Sequence, residues 1–529
     1  MVRPSAVVAI AATVGMSFAL PALAQEDSEQ RLGAVHFPTS CNDTAQRRFD
    51  RGMRYQHSFW YSQAREIFED AAKADAACGI AYWGIALTQL NNPHNPPPAS
   101  NLPLGLAAIA KAKEVGAQTE RERDYINALA VMYTDYDKID HRSRVQAYLK
   151  AMEALATKYP DDDEAQIAYA ITLNVGASPA DKTYANQLKG AAILEPIFRR
   201  QPTHPGVAHY LIHLYDYPPI AEKGLDAATR YSKIAPAAPH AQHMPSHIFT
   251  RVGYWKESIA SNIASVKAAK ADKQGDDQLH GMDYMVYAYL QLGQDGQASA
   301  VVDEMQSAKF NPDSLGGPFG KTAAAARYMV ERGDWKGAAG LDVPATKFAH
   351  VEAITHFARA LGAARSGDPD AAKAEIAKLA ELRDKLRDAK DVYWSGIVDI
   401  EWQVANAWML YAQGKYDEAL KAMSAAADAE DRTDKHPVTP GPLAPGRELY
   451  GAMLLDRGMA KEALVAFEAT LKKEPHRLGA TLGAAKAAEK AGDTAKAKQH
   501  YAEAVALAEA ADPVRPEIAA ARAFMAKAN

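Results

Sequence analysis

Seven of the sixteen histidines lie between residues 204 and 280, and most of them keep a helical rhythm. His209 and His213 are four apart, His240, His243 and His247 follow at spacings of three and four, and Asp283 stands three residues after His280. Residues three or four apart share one face of a helix, so three successive segments can aim imidazoles at one place. Neutral imidazole ligates zinc, copper, nickel and iron, and several such nitrogens with a carboxylate nearby suit a transition-metal site. His209, His213, His243, His247, His280 and Asp283 are therefore the expected ligands, with zinc or copper the expected ion. His240, Asp216, Tyr210 and Tyr287 are expected around them, because a ligating imidazole usually gives its other N–H to a carboxylate or similar acceptor. Met244, Met282 and Met285 are close by in sequence; a sulfur ligand would favour copper, although methionine at helical spacing ordinarily fills core. Pro245 falls between His243 and His247, where either a helix begins or a longer one kinks.

Other chemistries find little support. His209 and His213 have the spacing of a zinc-protease helix, but Tyr210 stands where the general-base glutamate would be. There is no nucleophile elbow, phosphate-cradling glycine loop or haem-attachment motif. Catalysis here would take the form of metal-activated water or oxygen chemistry, with Asp216, Asp283, Tyr210 or Tyr287 handling protons. His57, His94, His350, His356, His436, His476 and His500 fall outside the expected cluster.

The N-terminus indicates the compartment. Arg3, the apolar run Ala6 to Leu20 and the small-x-small pattern Ala22-Leu23-Ala24 predict a signal peptide over residues 1–24, hence a periplasmic or secreted protein. No later stretch has the roughly 18 consecutive apolar residues of a membrane span. The 60 basic and 65 acidic residues give a net charge of -5 without any basic, aromatic-interleaved segment, which argues against nucleic acid as a partner. Cys41 and Cys78 are the two cysteines, and an oxidising compartment predicts a bond between them; two buried free thiols are the alternative. Closing such a loop stabilises by roughly 3 to 4 kcal/mol when the geometry is unstrained.

The chain that must position the histidines is too long for one ordinary core, and it repeats. The clearest copy runs Gly451, Leu454, Gly458, Ala463, Phe467, Pro475, and the next, 34 residues later, runs Ala485, Ala488, Gly492, Ala497, Tyr501, Ala504. In each, the glycine reverses the chain between two helices and the small alanine lets them approach. Gly253, Gly293, Gly333, Gly367, Gly414, Gly458 and Gly492 mark successive turns at steps of 40, 40, 34, 47, 44 and 34 residues. Gly52, Ala64, Phe68 and Ala71 form a further copy near the start. The pattern resembles the tetratricopeptide repeat, which implies an all-α, curved right-handed solenoid of helical hairpins.

The expected divisions are residues 1–24, the signal peptide; 25–90, N-terminal repeats with Cys41 and Cys78; and 91–103, a proline-rich loop. Residues 104–200 hold further repeats, 201–300 the histidine-rich ones, 301–430 a central group and 431–529 the C-terminal repeats. The segments His204-Pro205-Gly206, His209-Tyr210-Leu211-Ile212-His213, Pro239 to Phe249 and Pro437-Val438-Thr439-Pro440-Gly441, with Cys41 and Trp83-Gly84, resemble a family of exported bacterial tetratricopeptide-repeat proteins over nearly the whole mature chain.

Register then places the histidines. Counting back from Gly253 and Gly293 sets them at recurring positions of the first helix of three consecutive repeats. The tetratricopeptide resemblance implies that those positions line the concave groove, so that all six ligand candidates share one trough. Two functions follow: a groove that holds a transition metal, or a groove that captures a peptide or another envelope protein.

Overall fold

The computed structural model describes residues 31–513 and 515–528, so the expected signal peptide lies outside the described residues. The architecture is helical from Asp43–His57 to Pro516–Ala528, with no strand among the described residues. Each helix packs on the next, and many also on the next but one, which makes a curved, tetratricopeptide-like stack of hairpins. All seven turn glycines named above have positive φ, for example 73° at Gly253, the left-handed conformation that ends a first helix and turns the chain back. A Cβ on Gly52 or Gly84 would stand 2.6 Å from the Phe68 ring, so glycine on both neighbouring helices lets that ring fill the space between them.

Cys41 and Cys78 form a disulfide. It ties the chain just before Asp43–His57 to the start of Gly79–Gln89. The proline-rich stretch is non-helical only to Ser100. Pro103 lies in the first turn of Asn101–Val115, where its missing N–H leaves no bond unmade, so the loop is shorter than its proline content predicts. No helix among the described residues is long and apolar enough to cross a membrane.

The solenoid winds tightly enough for distant repeats to touch. Pro205–Tyr215 packs on Asp43–His57, and Gly275–Gln291 packs on Leu478–Lys490. Gly253 abuts Pro475, and the Trp255 indole donates to the His476 carbonyl at 2.9 Å. Further on, Arg515 grips Asp295 at 2.6 Å. The concave side is thus filled largely by the chain itself. Lys435 reaches Asp216 at 3.1 Å, Tyr284 donates to the carbonyls of Pro437 and Thr439 at 3.1 Å each, and Arg327 donates to those of Gly441 and Pro442.

Candidate metal centre

Every residue of Pro205–Tyr215 is buried, as expected of a helix apolar on nearly all sides. His204 caps it by accepting from Val207 N–H at 3.3 Å, and Pro205 occupies the first turn. His209 and His213 thereby point inward from a rigid element. At Pro245 the chain breaks into Pro239–His243 and Pro245–Arg251, joined through Met244, whose φ of -52° and ψ of -36° remain helical. The proline therefore both kinks the segment and opens its second helix, and His243 and His247 still face each other. His280 comes from Gly275–Gln291, the next helix but one.

These elements assemble two adjacent triads rather than one six-residue cage. Within each of the triads His209, His213, His240 and His243, His247, His280, one ligand-capable atom per residue lies within 4.8 Å of the others. In the first, His209 Nε2 is 3.1 Å from His213 Nε2 and 3.2 Å from His240 Nε2. In the second, His243 Nε2 is 3.0 Å from His247 Nε2, and the His243 and His280 ring centroids are 4.3 Å apart. The triads adjoin: His213 and His247 ring centroids are 6.0 Å apart, and those of His240 and His243 are 6.1 Å apart.

Surrounding hydrogen bonds decide which nitrogens carry protons. His209 Nδ1–H donates to the His57 carbonyl at 2.7 Å, which leaves Nε2 a bare lone pair in the neutral ring. His247 Nδ1–H donates to Asp216 at 2.9 Å. His243 Nδ1–H donates to Asn262 Oδ1 at 2.6 Å, and that amide is oriented by its own Nδ2 donating to the Ser258 carbonyl at 2.8 Å. The neutral forms of His243 and His247 therefore turn two bare lone pairs towards each other across 3.0 Å.

Burial lowers the pKa of all six imidazoles, bringing His209 and His280 down to about 3. Neighbouring imidazoles push in the same direction. Asp216 behaves oppositely: burial raises it, but Lys435, Arg251 and His247 hold its carboxyl well below the usual range. Arg251 donates to it at 2.7 Å. Burial takes Lys435 itself down to about 8, against the pull of Asp216.

Three expected residues sit elsewhere than in the expected roles. His240, expected as an outer partner, stands within the first triad. Asp283 is turned to Arg327 at 3.5 Å and joins neither triad, because a fully buried carboxylate takes the nearest cation; burial still raises it to about 6. Tyr287 donates to Glu474 at 3.0 Å and accepts from Arg477 at 3.1 Å, outside both triads. Tyr210 bonds His57 at 3.0 Å, one step behind His209.

His57 and His94 lie outside the cluster that histidine spacing predicts, and that spacing points to neither Asn262 nor Tyr284. The His94 ring, carried by the proline loop, lies 4.3 Å from that of His213, so this loop covers the first triad. Tyr284 lies edge-on to His243 at 4.7 Å. A signal existed for Asn262: Ser258, Asn262 and Ser265 follow at i, i+4 and i+7, a polar stripe on a helix whose core face must be buried, and all three are fully buried. No comparable local pattern marks His94.

A third group, His57, Glu164 and His204, also has ligand-like spacing. Its nitrogens are already committed. His57 Nε2–H and His204 Nε2–H donate to Glu164 at 3.1 and 2.9 Å, and their Nδ1 atoms accept from Tyr210 and Val207. This closed network braces Asp43–His57 against Asp163–Gly176 and Pro205–Tyr215, and offers a metal no free lone pair.

No family model matches the chain, and no curated protein matches it. Among solved structures it is similar to a monomeric mutant of IFIT1 with Gppp-AAAA, at 13% identity over 91% of this chain and 99% of that one, with a TM-score of 0.40. It is also similar to yeast Tom70, at 12% identity over 92% and 95% with a TM-score of 0.29. The APC/C hetero-tetramer Cut9–Hcn1 gives 11% identity over 92% and 96%, with a TM-score of 0.30. Likeness at these levels bears on none of this chain's chemistry. Fold and site together define an all-helical repeat protein with a buried polyhistidine cluster at its centre.

Proposed function

We propose that this chain is an exported metal-binding repeat protein, holding transition-metal ions at His209, His213 and His240 and at His243, His247 and His280. One observation carries the proposal: His243 and His247 are each oriented by a fixed acceptor so that unprotonated Nε2 atoms face each other at 3.0 Å. Two acceptors at that distance repel unless a cation lies between them. A shared proton would make one ring an imidazolium, which burial disfavours at both rings, reinforced at His243 by His280, His247 and His240 and opposed at His247 by Asp216. Two nitrogens bound tetrahedrally to zinc at about 2.0 Å would stand about 3.3 Å apart, close to the spacings in both triads. Imidazole-only ligation suits zinc and copper alike. The disulfide and the N-terminal Arg3 to Ala24 pattern support export. A peptide partner in the trough would first have to displace residues 433–442, which already hydrogen-bond to its walls.

Elemental analysis of the purified full-length protein tests this. Stoichiometric zinc or copper is expected, reduced to about half by His243→Ala with His247→Ala, and to trace by adding His209→Ala. Protein that refolds with added zinc and copper yet retains neither contradicts the proposal. Asp216→Asn is expected to weaken metal binding about 10- to 100-fold by releasing the orientation of His247.

A further inference from the structure

A cavity of about 110 Å³ lies beside the first triad, lined mainly by Phe37, Phe59, Trp83, Tyr125, Tyr148 and Ile171. Its size is of the order of the apolar cavities that accept a single benzene ring. Phe59 separates it from the imidazoles, with its ring 4.3 Å from His209, 5.1 Å from His240 and 5.8 Å from His213. Phe59 also adopts a positive φ of 58°, which an aromatic residue rarely does, in the turn that presents it to both sides.

Most polar groups on the cavity wall are engaged. Glu164, His57 and Tyr210 belong to the closed network above, Tyr125 donates to Asp162, and the Thr172 hydroxyl donates to the Ala168 carbonyl. Two are not. Gln56, only 7% exposed, has a buried Oε1 with no partner, and His141 Nδ1 is likewise buried and unpaired. A buried acceptor without a donor, in a largely aromatic and aliphatic chamber whose Glu164, His57 and Tyr210 are already committed to one another, calls for a ligand that supplies one.

We infer that this cavity binds a neutral, single-ring phenol, its ring packed among the aromatic walls and its hydroxyl donating to Gln56 Oε1. Aromatic walls favour a planar ring through edge-to-face and offset contacts. A single donor suffices. Phenolate is disfavoured because Glu164 is nearby and no cation lines the chamber. The inference uses none of the triad nitrogens and stands independently of bound metal.

Fluorine NMR with 4-fluorophenol and 4-fluorotoluene tests it on metal-loaded and chelator-treated full-length protein alike. Saturable broadening of both probes is expected, tighter for the phenol. Gln56→Leu is expected to weaken 4-fluorophenol about 5- to 20-fold while moving 4-fluorotoluene less than about twofold. Ile171→Phe, checked for helical content, should abolish binding of both by filling the chamber. Absence of binding to the parent protein, an equal effect of Gln56→Leu on both probes, or undiminished binding to a folded Ile171→Phe protein overturns the inference.

Discussion

At the scale of single residues, the histidine cluster makes acid sensitivity unavoidable. An imidazole in the unfolded chain takes up a proton below pH of about 6.5, whereas His209 and His280 in the fold do so only at about 3. Stability is therefore whole above the unfolded value and is lost as the pH falls from about 6.5 towards about 3, at up to about 1.4 kcal/mol per histidine per pH unit. The urea midpoint should decline steeply between pH 6.5 and 4.5 in metal-free protein. Saturating zinc should shift that decline to lower pH, because protons must then compete with the ion. A flat profile over this range would show that the imidazoles are hydrated or already charged.

At the scale of elements, the site depends on helices meeting without a side chain between them. A Cβ on Gly206 would fall 2.4 Å from His57 Nδ1, so Gly206→Ala must push that ring off Tyr210 and Glu164 and disturb the carbonyl that orients His209. A loss of about 1 to 3 kcal/mol is expected in denaturant melts. Gly396→Ala, in a helix with open space at that position, should be neutral or slightly stabilising. The local half of this architecture was legible in the sequence. Turn glycines, helical histidine spacing and the Pro245 break are patterns within a few residues, and the six helical histidines were found that way. The other half is made by partners far apart in the chain: His57 with Glu164 across 107 residues, the His57 carbonyl with His209 across 152, and Lys435 with Asp216 across 219. Register within a repeat cannot report such pairings, because superhelical pitch decides which turns touch. Asp283 finds its cation nearer by, on the corresponding helix of the next repeat, where Arg327 lies 44 residues downstream.

At the scale of the molecule, the stack is clasped rather than open. Arg515 binds Asp295 through two nitrogens and also donates to the carbonyls of Leu290 and Glu331, fastening the C-terminal helix to the middle of the array. Open repeat arrays unfold from their ends. Here the last repeats should exchange their amide hydrogens as slowly as the central ones, and Arg515→Ala should speed exchange in residues 494–528 at least tenfold while leaving 205–250 unchanged. Residues 433–442, which seal the trough, are synthesised after every histidine of both triads. If residues 205–280 fold before that segment docks, the cluster stands for an interval with one wall missing. An ion captured then would be walled in by the arriving segment, and its later departure would wait on that segment lifting away, making occupancy a record of conditions at assembly.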